Sequence, residues 1–91
     1  MSVTVRIPSA LRAYTDGEGS ISVSADTVDD AFEKAVEQHP ELAQHIYDDD
    51  GQLRNFVNAY LNEEDIRELD GGSTSVSDGD TIVIVPSIAG G

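Results

Sequence analysis

The chain has no cysteine and no tryptophan, and cations are scarce among its 91 residues. The absence of cysteine excludes a disulfide framework, a thiolate metal site and a catalytic thiol. Five lysines and arginines stand against eighteen acidic residues, which gives a formal net charge of −13. Such a surface repels phosphate backbones, so nucleic-acid binding is disfavoured, whereas a basic partner surface would be attracted. Solubility alone explains the charge equally well.

The chain also lacks long apolar runs. None approaches the roughly 18 residues that a membrane-spanning helix needs, and the N-terminus reads directly as a strand. We therefore expect a cytoplasmic protein without membrane contact. A chain of this length forms one domain and buries only about 60% of its unfolded surface. Little room remains for the deep cleft of a typical small-molecule enzyme.

Hydrophobic periodicity predicts a hairpin followed by a helix. Apolar and polar residues alternate over residues 2–7 and 20–24, which is typical of half-buried strands. The helix has Asp26 or Thr27 as its N-cap and ends near His39, before Pro40. Its apolar stripe predicts the core-facing residues Val28, Ala31, Phe32, Ala35 and Val36. A short second helix is predicted over residues 40–47.

The second half of the chain predicts further strands. Residues 53–62 alternate, residues 66–69 form a short strand at best, and residues 71–74 form a loop. Residues 81–85 are almost entirely apolar, which suits the centre of a sheet, and Pro86 ends this strand. The order predicts an α+β roll with a mixed sheet of four or five strands and one main helix packed on one face.

The last two residues, Gly90 and Gly91, are the strongest candidate functional feature. A chance Gly-Gly at this position occurs in about 0.5% of chains, given average glycine usage. Residues 1–86 are predicted to form the domain, and residues 87–91 a flexible tail. Glycine lacks a Cβ atom, so its backbone can enter a narrow slot and present the terminal carboxylate for adenylation. An ordinary frayed terminus is the alternative.

Four segments resemble the ThiS/MoaD family of sulfur carriers. Residues 85–91, Val-Pro-Ser-Ile-Ala-Gly-Gly, are similar to the ending of these proteins, and Ser77-Asp78-Gly79-Asp80 is similar to the turn before their last strand. Residues 3–12 and 56–67 resemble the CysO-type branch, which acts in thiocarboxylate-dependent cysteine biosynthesis. The resemblance covers essentially the whole chain and implies a β-grasp (ubiquitin-like) fold.

The resemblance also implies a mechanism in which the chain is a carrier and not an enzyme. An E1-like adenylating enzyme of the ThiF/MoeB type would use ATP to activate the Gly91 carboxylate, with Gly90, Ala89 and Ile88 threaded into its active site. Sulfur would then replace AMP and leave a thiocarboxylate. A PLP-dependent cysteine synthase would accept this sulfur, and a metalloprotease would release cysteine. The chain itself would bind no cofactor.

A docking surface is predicted on the face of the sheet that the helix does not cover. The family uses this face to meet its partner, which implies Val83, Val85, Pro86 and Tyr60 as contact residues. Scattered surface apolar residues, which are normal in proteins, are the alternative interpretation.

The same C-terminus is compatible with two other functions. A ubiquitin-like modifier would join Gly91 to lysines of target proteins, and a molybdopterin-synthase or thiamine-type carrier would deliver sulfur elsewhere. A metal site is not expected, because His39 and His45 lack the i, i+4 spacing of a helical ligand pair and Asp48-Asp49-Asp50-Gly51 lacks the later ligands of a calcium loop.

Overall fold

A mixed sheet forms the frame of the protein in the computed structural model, which describes residues 1–50 and 57–86. The strands are β1 (Ser2–Arg6), β2 (Ser20–Ser24), β3 (Val57–Leu61), β4 (Glu64–Asp65) and β5 (Thr81–Pro86). They lie in the order β2-β1-β5-β3-β4, with β5 parallel to β1 and every other neighbouring pair antiparallel. The predicted N-terminal hairpin and the central position of the last strand are confirmed.

The main helix, α1, spans Val28–Gln38. Thr27 caps it, since its hydroxyl oxygen accepts a hydrogen bond from the Asp30 backbone N–H at 3.1 Å. The Asp30 carboxylate in turn accepts from the Asp26 backbone N–H at 3.1 Å. The helix ends at His39 because Pro40 cannot continue it. Both predicted ends are confirmed.

The core lies between α1 and one face of the sheet. Val28, Ala31, Phe32 and Ala35 on the helix are fully buried, and Phe32 is the largest completely buried side chain. Buried residues of all three central strands belong to the same cluster, namely Val3, Val5, Val57, Ala59, Leu61, Ile82 and Ile84. Val36 is half-buried at the border of the stripe and packs against this cluster, so its predicted core-facing position is confirmed.

The segment after α1 is helical, as predicted, but begins with a 3-10 turn. Pro40–Leu42 forms that turn and α2 follows at Ala43–Ile46, with Leu42 and Ile46 completely buried. Tyr47 ends α2 and packs half-buried against the core. Burial raises the pKa of its phenol to about 12, assisted by the negative charges of Asp29 and Glu33.

The predicted strand at residues 66–69 is wrong. The edge strand β4 comes earlier, at Glu64–Asp65, and Ile66–Glu68 forms a 3-10 turn. Asp65 caps this turn, because its carboxylate accepts a hydrogen bond from the Arg67 backbone N–H at 2.8 Å. Ile66 is buried inside the turn and anchors it in the core. The cap and this one anchor explain why the segment forms a turn instead of pairing as a strand.

Two further differences concern short segments, and one predicted segment lies outside the described residues. The sequence did not predict the 3-10 helix at Ser9–Tyr14, which starts after Pro8 and buries Leu11. The expected loop at residues 71–74 contains another 3-10 turn, Gly71–Ser73. The first part of the predicted third strand, residues 53–56, lies outside the described residues.

A network of hydrogen bonds fixes the start of β5. Gly79 adopts a left-handed φ of 89° in the turn before the strand. The Asp80 carboxylate accepts from the Ser77 backbone N–H at 2.7 Å and from the Asn62 side-chain amide at 2.9 Å. The Asn62 side-chain oxygen accepts from the Thr81 N–H at 2.9 Å. These bonds join the ends of β3 and β5, so they set the direction in which β5 runs towards the C-terminus.

Candidate functional site

The predicted reactive end of the chain lies beyond the described residues. Gly91, Gly90, Ala89 and Ile88 all belong to that part of the sequence, so their roles stay predictions. The structure places what precedes them. Central strand β5 runs to Pro86, one residue further than the sequence predicts, and Pro86 lies opposite Val57 of β3. β1 pairs with Thr81–Val83 and β3 pairs with β5 as far as Pro86, so β3 alone accompanies the last residues of β5.

The two faces of β5 differ as predicted. Ile82 and Ile84 are completely buried under α1. Val83 is half-buried on the opposite face, and Val85 is 38% exposed. Among the described residues, Val85 and Met1 are the exposed large hydrophobic residues. Val85 therefore presents an open aliphatic side chain one residue before Pro86.

Neighbouring strands extend this surface, which we call the outer face. Tyr60 lies opposite Val83, and Asn58 lies opposite Val85, because β3 pairs with β5 in this register. Both β3 side chains are half-buried. The structure thus brings together three of the predicted docking residues, Val83, Val85 and Tyr60. Nothing is described of the Pro86 side chain, and the contact of all four with a partner stays a prediction.

Next to Tyr60 lies a polar cluster that the sequence analysis did not identify. The Asp65 carboxylate accepts hydrogen bonds from the Asn58 side-chain amide at 2.9 Å and from Arg67 Nη2 at 2.8 Å. The side-chain and backbone hydrogen bonds of Arg67 hold the pKa of Asp65 well below its usual range. The i, i+2 spacing of Asp65 and Arg67 was a visible signal, but the expected strand at residues 66–69 concealed it.

Arg6 completes the outer face on the other side of β5. It lies opposite Val83 in the parallel pairing of β1 with β5, and its side chain is exposed. Alternation in β1 already separates Arg6 from the buried Val5, so the sequence contained the signal for its orientation. The cationic side chain therefore stands beside the apolar centre of the outer face.

The two histidines each contact another side chain within the fold. His39 Nε2 lies 3.2 Å from a Glu18 carboxylate oxygen. The ring of His45 stacks on Tyr14 with 3.9 Å between centroids and 23° between planes. Within residues 1–50 and 57–86, no three histidine or acidic side chains converge as metal ligands, and no helix is both long and apolar enough to cross a membrane.

Comparisons with known proteins agree with this geometry. The sulfur carrier protein CysO of Mycobacterium tuberculosis is 39% identical over 93 aligned residues, covering 100% of both chains. The small archaeal modifier protein 1 of Haloferax volcanii is 32% identical over 82 residues, covering 87% of this chain and 90% of the relative. These relatives are named as a sulfur carrier and a small modifier protein. The chain is likewise a small carrier-type protein and not an enzyme.

A solved structure supports the same relationship. A chain in the crystal structure of the BexX/CysO complex of Amycolatopsis orientalis matches with a TM-score of 0.88 and 37% identity, covering 98% of this chain and 99% of that chain. The β-grasp (ubiquitin-like) fold is thereby confirmed. A sequence model of the ThiS family matches residues 5–91, so the chain belongs to the ThiS family and is similar to the CysO sulfur carriers.

Proposed function

We propose that the chain carries sulfur as a thiocarboxylate on Gly91. The observation that carries the proposal is the Gly90-Gly91 terminus, which the family match includes. In the sequence, Gly91 is the fifth residue after Pro86, the last residue of central strand β5. An E1-like enzyme of the ThiF/MoeB type would activate it. A Gly91 carboxylate oxygen attacks the α-phosphate of ATP, pyrophosphate leaves, and a sulfur nucleophile then displaces AMP. One carboxylate oxygen is thereby replaced by sulfur.

The proposal divides the work between the domain and the C-terminal tail. Residues 1–86 form the domain that the partner binds, and residues 87–91 form the tail that enters the active site. Five extended residues reach at most about 17 Å, so the ATP site of the partner must lie within that distance of the end of β5. The chain offers positioning rather than acid–base chemistry, because proximity of the reacting atoms supplies much of the rate in such transfers.

The outer face is the proposed docking surface for the activating enzyme. Val83, Val85 and Tyr60 lie on the outer face of the adjacent strands β3 and β5, and Pro86 follows Val85 in the sequence. Val85→Asp should leave the melting temperature nearly unchanged, because Val85 is 38% exposed, yet weaken binding by burying an unpaired charge in the interface. Calorimetric titration of the enzyme with this variant at unchanged affinity would remove Val85 from the docking surface.

We infer that the sulfur goes to cysteine biosynthesis, by analogy with the CysO proteins. A PLP-dependent cysteine synthase is the proposed acceptor, a metalloprotease the proposed releasing enzyme, and the cytoplasm the proposed compartment. Full-length identity of 39% to CysO favours this route over molybdopterin or thiamine synthesis. The test is to mix the thiocarboxylated chain with the synthase and an activated serine substrate. Mass spectrometry should find a cysteine residue added at Gly91, and no adduct would refute this acceptor.

Protein modification is the second candidate function. The similarity to the small archaeal modifier protein 1 favours it, since modification would use the same adenylated Gly91. An affinity-tagged chain, expressed in its source cells, should then be recovered joined through Gly91 to lysine side chains of other proteins. A chain recovered only as free carboxylate or thiocarboxylate would rule out modification under those conditions.

The experiment that tests activation is ATP–pyrophosphate exchange with the cognate adenylating enzyme. Wild-type chain should support exchange, and deletion of Gly91 should abolish it while the circular dichroism spectrum stays unchanged. Gly90→Ala should impair the same step less completely, because it adds one methyl group inside a narrow slot. Equal exchange by the truncated chain would contradict both the carrier and the modifier functions.

A further inference from the structure

Two of the few cations of this acidic chain, Arg6 and Arg67, lie at the two ends of one row of residues across the sheet. Arg6, Val83, Tyr60 and Asp65 follow one another across four strands, because each is the register partner of the next. Neighbouring strands are about 4.8 Å apart, so Arg6 and Asp65 lie about 14 Å apart at the backbone. Arg67 is bonded to Asp65 at the far end of this row. Two guanidinium groups therefore flank the apolar centre of the outer face.

Arg67 is held in one orientation while staying open to a partner. Its Nη2 and Nε donate to the Asp65 carboxylate, at 2.8 Å and 3.2 Å, respectively. The Asn58 amide fixes the same carboxylate from the other side. The Arg67 side chain is nonetheless 74% exposed, whereas that of Asp65 is only 14% exposed. The guanidinium is thus pre-organised, and a partner carboxylate can bind it with little further loss of rotamer freedom.

The side chain of Arg6 has no ion-pair or hydrogen-bond partner among the described residues, although the chain contains eighteen acidic residues. Asp65 is the acidic residue in the row that Arg6 begins, and it is bonded to Arg67. Elsewhere the chain is rich in carboxylates, including Asp29 and Glu33 on α1, across the core from the outer face. A cation left unpaired on so acidic a protein remains available to an external group.

We propose that the adenylating enzyme contacts the outer face through an apolar patch flanked by carboxylates, with Arg67 and Arg6 as the residues that select it. The inference rests on the proposed function and adds the chemistry of the partner surface. It runs against the net charge, which alone favours a basic partner. An acidic patch is repelled by most of this carrier and attracted only at the outer face, so the charges orient the encounter as well as strengthen it.

The test compares charge reversals in the full chain by titration against the enzyme that supports pyrophosphate exchange with wild type. Arg6→Glu and Arg67→Glu should each weaken binding by about tenfold or more, mainly through slower association. Lys34→Glu is the matched control, since it makes the same charge change on α1, and it should stay within about threefold because it lies outside the interface. Thermal unfolding of each variant checks the fold.

Two further measurements sharpen the result. Arg67→Lys should recover only part of the affinity, because an ammonium cannot reproduce the guanidinium fork. Added salt should weaken wild-type binding more than that of either arginine reversal. Reversals that match Lys34→Glu, or that bind more tightly than wild type, would overturn the proposed acidic partner. A wild-type chain that is never adenylated would instead refute the proposed function itself.

Discussion

Replacing Phe32 with alanine tests the packing that holds the sheet and helix together. Phe32 is completely buried and is the largest of the fully buried side chains. Removing a buried phenylalanine costs about 3–5 kcal/mol, because transfer energy is lost and a cavity remains. A domain of this length is stable by about 5–14 kcal/mol, so the change removes a large fraction of the stability.

The assay is urea denaturation followed by circular dichroism, since the chain has no tryptophan. Val36→Ala is the internal control on the same helix. It removes a half-buried side chain at the edge of the core, so it should cost only about 0.5–1.5 kcal/mol. Equal losses for Phe32→Ala and Val36→Ala, or a loss below about 1 kcal/mol for Phe32→Ala, would refute the helix register that the structure assigns.

Three other predictions concern local features. Thr27→Ala removes the hydroxyl that caps α1 and should cost about 1 kcal/mol in the same denaturation assay, whereas Thr27→Ser should be nearly neutral. Gly79→Ala forces a side chain to a φ of 89° and should destabilise the fold by about 1 kcal/mol. An unchanged free energy of unfolding would contradict the left-handed conformation of Gly79. The raised pKa of Tyr47, about 12, predicts that its stabilisation is complete below pH 10 and is lost as the pH rises from about 10 to 12. Tyrosinate absorbance should show one late titration that Tyr47→Phe removes.

The sequence predicted the elements that carry strong local signals. The N-cap at Thr27 and the stop at Pro40 delimit α1, and the apolar residues of β5 indicate a central strand, which has a neighbouring strand on each edge. The edge of the sheet was harder to predict. Residues 66–69 were predicted to form a short strand at best, but a capping carboxylate at Asp65 and the buried Ile66 favour a 3-10 turn. That choice depends on side-chain contacts that periodicity does not contain.

Some residues of the candidate site could be predicted from the sequence, and others could not. The period of two along β5 separates Ile82 and Ile84 from Val83 and Val85. Because all four are apolar, the family resemblance was needed to predict which pair faces away from the helix, and the burial of Ile82 and Ile84 confirms it. The position of Arg6 beside Val83, and of Asp65 beside Tyr60, follows from strand order and register, which no single segment determines. The net charge of −13 likewise gives no indication that Arg6 and the Asp65–Arg67 ion pair lie at the two ends of one row across the sheet.

The most direct test of the account is to locate sulfur on the chain. The purified protein is incubated with its adenylating enzyme, ATP and a sulfide source, and its intact mass and C-terminal fragments are then measured. We expect a gain equal to the mass difference between one sulfur and one oxygen atom, confined to the fragment that contains Gly91, and no gain without ATP or in the chain lacking Gly91. An unchanged mass, or sulfur found on another residue, would contradict the claim that this protein is a thiocarboxylate carrier.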